Sequence, residues 1–260
     1  MAPNVDDTCR AMTRYLGIKL GMPAQFVNEI SWREREQQFD AGEIQLCWLC
    51  GLPYVWKADS PAPEIELVAA PVMAAGRYGN QPVYFSDIVV NAGSRYASFG
   101  DLRGASWAYN EPNSHSGYNV VRHHLARLGE TNGYFGEVVE SGGHQVSLRM
   151  IVDGAIAASA IDSTVLEAEF ASTPRLRGFL RVIETLGPSP MPPWVMRRDL
   201  PVALKQSMRE LFLGMNNDAE GVEILQTWGI ARFDPVDDAT YDPIRTMSSH
   251  AACVRLSAQA

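Results

Sequence analysis

Apolar runs alternate along the chain with segments whose apolar residues recur at helical spacing. The segment 6–21 spaces apolar residues four apart from Met12 to Leu20 and ends at Gly21, which predicts an amphipathic helix. The run IQLCWL (44–49) carries no charge, as is typical of a strand buried on both faces of a sheet. This alternation predicts an α/β structure built in layers.

The same patterns extend over most of the chain. We predict strands at 24–30, 44–49, 64–72, 82–91, 105–110, 134–140, 155–162 and 179–186. We predict helices at 6–21, 32–42, 120–129, 142–154, 200–214, 217–228 and 241–254. The four prolines of GPSPMPPWV (187–195) predict irregular backbone. Apolar strands that alternate with helices favour mainly parallel sheets flanked by helices.

The stretch NEPNSHSGYN (110–119) lies between a predicted strand and a predicted helix. In open α/β sheets, ligands bind beyond the carboxyl ends of strands, against helix N-termini, where N–H groups are free. Ser114, His115 and Ser116 add hydroxyl and imidazole donors, and Gly117 leaves room for close approach. A single serine would suffice for a purely structural cap. We therefore expect this stretch to bind a phosphate or carboxylate group.

Two further strand ends carry side chains suited to the same site. His144, in SGGHQ, lies in the first turn of helix 142–154, where the helix dipole lowers the pKa of an imidazole, so we expect a neutral donor. Asp162 ends the strand 155–162, where it could receive an amine or a hydroxyl. Each residue has a structural alternative, a surface cap for His144 and a helix N-cap for Asp162.

Three aromatic residues lie near predicted strand ends. Trp48 and Tyr54 flank the end of strand 44–49, and Tyr84 begins strand 82–91. Aromatic residues at such positions are often part of the core, but a tyrosine can also close over a ligand while its hydroxyl makes a hydrogen bond. Both interpretations stay open.

Composition and motif spacing exclude several classes of protein. With 22 basic and 30 acidic residues the net charge is −8, and no basic run exceeds Arg197-Arg198, so we exclude nucleic-acid binding. No apolar run reaches the roughly 20 residues of a membrane span. Cys47 and Cys50 form CWLC at the end of a strand, whereas a redox pair should open a helix, and no second ligand pair for zinc is suitably spaced. We predict ordinary cysteines, no metal and no cofactor.

Ser114, His144 and Asp162 also have the residue types of a hydrolase triad. The nucleophile elbow GxSxG is absent, and neighbouring strand ends do not imply contact geometry. We therefore expect binding of a ligand without catalysis.

Six segments, taken together, resemble the phosphate/phosphonate-type periplasmic substrate-binding proteins of ABC importers. They are LCWLCGLPYV, PVYFSDIVV, SFGDLRGASWAYNEPNSHSGYNVVRHHL, ESGGHQVSLRMIVDGAIAASAIDSTV, LRVIETLGPSPMPPWV and ARFDPVDDATYDPIR, and the similarity runs from about residue 25 to residue 247. The resemblance implies a type II periplasmic-binding-protein fold, with two α/β lobes, two crossover strands and a ligand held between the lobes. Lobe one would comprise 1–91 and 187–260, and lobe two 92–186.

The resemblance also implies roles for individual residues. Ser114–Ser116 would bind the oxyanion head group, His144 would add a donor, and Tyr54 and Tyr84 would contribute from the first lobe. Asp162 would face the amine of an aminoalkylphosphonate. The candidate ligand-binding residues are Ser114, His115, Ser116, Tyr118, His144, Tyr84, Tyr54, Asp162 and Trp48.

Two features depart from the family pattern. The chain starts at what reads as the helix after the first strand, without a signal peptide, so we expect the first strand of lobe one to be missing. A cytoplasmic location therefore stays open beside a periplasmic one. His115 is bulky where many members have a small hydroxyl residue, which leaves anions other than phosphonate open. The expected partners are a small anionic ligand and ABC permease subunits; the alternatives are a cytosolic ligand sensor or an enzyme on the same fold, similar to thiamine pyrimidine-precursor synthases.

Overall fold

Helices and strands alternate along residues 3–256, which are the residues that the computed structural model describes. The helices are α1 (Asp6–Leu20), α2 (Trp32–Asp40), α3 (Gly51–Ala58), α4 (Val120–Arg127), α5 (His144–Val152), α6 (Ser163–Ser172), α7 (Val202–Gly214), α8 (Ala219–Thr227) and α9 (Asp242–Ala251). The strands are β1 (Leu46–Trp48), β2 (Ile65–Met73), β3 (Val83–Asn91), β4 (Trp107–Tyr109), β5 (Val138–Glu140), β6 (Ala158–Asp162), β7 (Leu180–Pro190), β8 (Trp194–Arg197) and β9 (Ile230–Asp234). All seven predicted helices are confirmed, whereas α3, α6, β8 and β9 were not predicted.

The chain divides into two compact units. The first contains Pro3–Val83 and Pro190–Asp242, and the second contains Tyr84–Ser189 together with residues 243–256. The sequence assigned residues 84–91, 187–189 and the segment after residue 242 to the first lobe, whereas the structure groups their described residues with the second unit. Val254 and Leu256 are buried in the hydrophobic core of the second unit, which draws the end of the chain to that unit.

The prediction of mainly parallel sheets is wrong. The first unit has a sheet with strand order β1-β8-β2-β9, in which each neighbouring pair is antiparallel. The second unit has the order β5-β4-β6-β3-β7, where β4 runs parallel to β5 and β6 but β3 runs antiparallel to β6. An apolar run indicates that a strand is buried. Whether the strand is parallel or antiparallel depends on which strand it pairs with in the folded structure.

Two predictions for individual segments are also wrong. Residues 24–30 form no strand, because alternating polarity does not make a strand where no neighbour supplies hydrogen bonds. The proline-rich segment 187–195 contains the end of β7 and the start of β8. The prolines of β7 are tolerated because β7 is an edge strand, where a missing N–H can face away from the sheet.

The CWLC motif spans the junction between β1 and α3. Cys47 lies in β1 and Cys50 is the N-cap of α3, so the motif does precede a helix, contrary to the sequence analysis. All four cysteines are free, and burial raises the pKa of Cys47 and raises that of Cys9 to about 12. Because the thiolate is the reactive form, the raised pKa keeps both thiols protonated and unreactive near neutral pH.

An aromatic cluster holds β4 in place in the second unit. Trp107 stacks on Phe135 with ring centroids 4.3 Å apart, and the edge of Phe99 packs on both rings. All three side chains are buried. Such close packing leaves β4 little freedom, so the loop after its carboxyl end starts from a rigid position.

Candidate ligand-binding site

A π-helical turn, His115–Asn119, joins the loop after β4 to α4. Ser114 is the N-cap of this turn: its Oγ accepts a hydrogen bond from the Gly117 N–H at 3.0 Å, and its carbonyl accepts one from the Asn119 N–H at 3.0 Å. The three residues Ser114–Ser116 are at most 3% exposed. The serine-rich stretch is therefore a buried, internally bonded turn rather than a surface cap, and π-type turns are frequent at functional sites.

Ser116 and His144 bring two of the predicted strand ends together. His144 is the first residue of α5, and its Nε2 lies 3.2 Å from the Oγ of Ser116. Burial lowers the pKa of His144 to about 4, so the imidazole is neutral at neutral pH. The sequence predicted a neutral imidazole on account of the helix dipole, but burial is the main cause.

Gly117 lies against Asn110 and His144. An alanine Cβ at position 117 would be 2.0 Å from the Asn110 Oδ1 and 3.1 Å from the His144 Cε1. Asn110 is buried, and its Oδ1 has no hydrogen-bond partner among the described residues. Sequence reasoning missed Asn110 as a site residue, although its place after β4 satisfies the same strand-end rule that selected the others.

His115 is completely buried, and both of its ring nitrogens are bonded inside the second unit. Its Nε2 is 3.0 Å from the Ser189 Oγ of β7, and its Nδ1 is 3.2 Å from the Asn119 Nδ2. Burial lowers the pKa of His115 to about 3. The imidazole is therefore neutral, and its ring faces the protein interior.

Asp162 ends β6 and begins α6. Its Oδ1 accepts hydrogen bonds from the Thr164 N–H at 2.8 Å and from the Thr164 hydroxyl at 2.7 Å, which confirms the N-cap alternative. Burial raises the pKa of Asp162 to about 6, although the bonds from Thr164 oppose that rise. A buried carboxyl with this pKa can hold or release a proton close to neutral pH.

Two tyrosines of the candidate set lie in the second unit. Tyr84 is buried on β3, with its ring centroid 6.4 Å from that of His115. Tyr118 is partly buried in the π-helical turn, with its ring centroid 4.8 Å from that of Tyr109. Tyr84 is therefore a core residue of the second unit, and a role of either tyrosine as a ligand contact stays a prediction.

The other two aromatic candidates belong to the first unit. The Tyr54 hydroxyl donates to the Asp238 carboxylate at 2.7 Å, and the Trp48 Nε1–H donates to the Pro192 carbonyl at 2.8 Å. Trp48 also stacks on Trp194 at 5.7 Å. Both polar atoms thus have partners within the first unit itself.

The second unit gathers neutral hydrogen-bonding groups around the turn. Strand β6 packs against the turn, and no lysine or arginine takes part in the hydrogen bonds described above. Hydroxyls, a neutral imidazole and helix N-termini can hold an oxyanion. The hydrolase triad is not formed, since the His144 Nε2 pairs with Ser116 rather than Ser114. Within residues 3–256 no group of three His, Cys, Asp or Glu side chains could hold a metal ion.

The second of the two α/β units thus contains a buried turn of neutral hydrogen-bonding groups. Comparison with protein families shows which class of protein has this fold and site. The family described as "ABC transporter, phosphonate, periplasmic substrate-binding protein" matches residues 2–241. The chain belongs to this family.

Solved structures with the same fold support the architecture. A binding protein component of an ABC phosphonate transporter from Pseudomonas aeruginosa has a TM-score of 0.85 and 19% identity, covering 96% of this chain and 83% of its own. A Prochlorococcus marinus protein in complex with methylphosphonate has a TM-score of 0.83 and 18% identity, covering 95% and 92%. A Xanthomonas citri protein bound to ATP has a TM-score of 0.73 and 14% identity, covering 96% and 94%. At these identities the likeness concerns the fold.

Proposed function

We propose that this protein binds a small oxyanion at the turn Ser114–Gly117 and delivers it to an ABC permease without catalysing a reaction. A phosphonate is the first choice of ligand, with phosphate or a phosphate ester as related choices. The observation that carries the proposal is the buried pair Ser116 and His144, with Oγ and Nε2 3.2 Å apart beside a serine-capped turn. Family membership and the methylphosphonate complex of the Prochlorococcus marinus protein support the choice of ligand.

The donors are ordered before a ligand arrives. The Ser114 Oγ already accepts from the Gly117 N–H, so the orientation of its own hydroxyl proton toward a ligand oxygen requires little rearrangement. His144 stays neutral, and its hydrogen bond with Ser116 fixes the ring. Preorganised neutral donors in a buried site bind an anion by directed hydrogen bonds rather than by net charge, which is −8 for the whole chain.

Removal of either member of the pair is the direct test. We expect Ser116→Ala and His144→Ala each to weaken methylphosphonate binding by about tenfold or more in isothermal titration calorimetry. Each variant would lose a buried hydrogen bond to the charged phosphonate group. Ser172→Ala and His250→Ala are matched controls, because both residues are exposed in the same unit. If the folded wild-type protein binds none of methylphosphonate, phosphate and a phosphate ester at millimolar concentration, the proposal is wrong.

Asp162 is proposed to meet a cationic substituent on the ligand. In Asp162→Asn the Oδ1 that caps α6 is retained, while the negative charge is removed. We expect this variant to lower the affinity for an aminoalkylphosphonate by about tenfold, because one charge-assisted hydrogen bond is lost. Its affinity for methylphosphonate, which has no amine, should change little. Equal effects on the two ligands in parallel titrations would assign Asp162 a structural role alone.

The family supports the proposed location and partner. Its members are periplasmic substrate-binding proteins of ABC transporters, and this supports a periplasmic location and a permease partner. No helix within residues 3–256 is long and apolar enough to span a bilayer.

A further inference from the structure

We propose that His115 is a positioning residue of this site rather than a ligand contact, because its imidazole ties the serine-rich turn to Ser189 near the end of β7. The inference deepens the proposed function: the affinity at the turn would depend on a serine 73 residues away from Ser116 in the sequence. The part of the inference that concerns the turn itself needs no ligand and can be tested alone.

The hydrogen bonds of His115 define the direction of this link. An amide nitrogen can only donate, so the Asn119 Nδ2 donates to the His115 Nδ1 at 3.2 Å. The ring is neutral, so its single proton is on Nε2, which donates to the Ser189 Oγ at 3.0 Å. Asn119, His115 and Ser189 thus form a chain of hydrogen bonds, in which Asn119 donates to His115 and His115 donates to Ser189.

Burial makes this chain of bonds hard to replace. His115 is 0% exposed, Asn119 is 1% exposed and Ser189 is 2% exposed, so water does not reach these groups. If the Ser189 hydroxyl is removed, the Nε2–H of His115 loses its acceptor in a buried place, which is costly unless the ring moves. A moving ring would shift the backbone of residue 115, which lies between the two proposed ligand-binding serines, Ser114 and Ser116.

Ser189 lies at the point where the chain leaves the second unit. Ser189 is the last residue of the long segment Tyr84–Ser189 of the second unit, and the chain continues into the first unit at Pro190. Tyr84, the first residue of that segment, has its ring centroid 6.4 Å from that of His115. His115 therefore contacts or approaches both ends of the segment. By linkage, whatever favours the bonded state of Ser189 also favours the ordered turn, and ligand binding at the turn acts back on Ser189.

The first arm of the test is spectroscopic and uses the ligand-free protein. Long-range ¹H–¹⁵N spectra should show His115 as the Nε2–H tautomer and unprotonated down to about pH 5, since its pKa is about 3. In Ser189→Ala we expect the backbone amide resonances of Ser116 and Gly117 to move. Ser159→Ala is the matched control, because Ser159 is also a fully buried serine of the same unit and its bond, to Ala160, is long at 3.5 Å.

The second arm measures affinity by titration with methylphosphonate. We expect Ser189→Ala to weaken binding by about three- to tenfold, as loss of one buried neutral hydrogen bond implies. Ser189→Thr, which retains a hydroxyl, should recover most of that loss, and Ser159→Ala should bind within about twofold of the wild type. Denaturation in urea checks that each variant is folded.

Three outcomes would overturn the inference. The first is an Nδ1–H tautomer of His115. The second is an unchanged turn in Ser189→Ala, and the third is wild-type affinity in Ser189→Ala while His115→Gln loses binding, which would make His115 a ligand contact. If the folded wild type binds no oxyanion but the amides of Ser116 and Gly117 move in Ser189→Ala, the proposed function fails and the link between Ser189 and the turn stands.

Discussion

Gly117→Ala is expected to reduce methylphosphonate affinity by about 100-fold. The new Cβ would lie 2.0 Å from the Asn110 Oδ1 and 2.9 Å from its Cγ, distances that no side chain can occupy. Asn110 is only 8% exposed, so its amide has little room to withdraw. The alternative is displacement of the turn, which would break the Gly117 to Ser114 bond and the Ser116 to His144 bond together. Loss of two buried hydrogen bonds of about 1 to 1.5 kcal/mol each corresponds to that factor.

Calorimetric titration checks this result, and two further variants isolate its cause. Gly178→Ala is the control, since a Cβ there meets no atom within 4 Å and the residue is in the same unit. The double variant Gly117→Ala with Asn110→Ala should recover part of the affinity, because the atoms that the Cβ would strike are removed. Wild-type affinity in Gly117→Ala would show that the ligand does not depend on this turn.

Acidification from about pH 6.5 to about pH 5 is expected to lower the free energy of unfolding, with a net contribution of about 2 kcal/mol from His115, His144 and Asp162. Burial holds the pKa of His115 at about 3 and that of His144 at about 4, below the unfolded value of 6.5. At each of these two histidines the unfolded chain therefore takes up a proton that the folded protein does not, and stability is lost as the pH falls below about 6.5, by about 1.6 kcal/mol per histidine at pH 5. Burial also lowers the pKa of His123 and of His124, which act in the same direction. The pKa of Asp162 is raised from 3.8 to about 6, so the folded protein takes up this proton before the unfolded chain does. Asp162 therefore stabilises the fold on acidification and offsets about 1.2 kcal/mol of the loss.

His115→Gln separates these contributions. Without His115, the change over the same pH interval should be smaller than in the wild type by about 1.6 kcal/mol. Ser172→Ala is the control, because Ser172 is exposed in the same unit and has no titratable side chain. Urea denaturation at the two pH values measures all three proteins. An equal pH dependence in His115→Gln and the wild type would mean that His115 is not held neutral by burial.

Much of the secondary structure could be predicted because it depends on local pattern. Helix α1 follows from apolar spacing and a terminal glycine, and Gly21 does adopt the left-handed C-cap conformation. Strands β2 and β3 follow from apolar runs. The strand predicted at 24–30 is absent because a strand also needs a partner. Strand β7 continues through its prolines because an edge strand does not need a hydrogen bond from every N–H.

The candidate site could also be predicted only in part from the sequence. The rule that ligands bind at strand ends selected Ser116 and His144, which do meet at 3.2 Å. It did not select Ser189, since nothing in a proline-rich stretch signals contact with a residue 74 positions earlier. The roles of Tyr54 and Trp48 as ligand contacts remain predictions, with their polar atoms bonded to Asp238 and Pro192.

The sequence by itself determined the α/β class, the family and the place of the serine-rich turn between a strand and a helix. These features depend on residue type and short spacing, which the chain carries locally. The tertiary structure alone decided the direction of the strands, the unit to which the C-terminal helix belongs and the orientation of His115. All three depend on contacts between residues far apart in the chain. His115 could be a ligand donor in the sequence, but the buried acceptor that Ser189 provides turns its ring toward the protein interior.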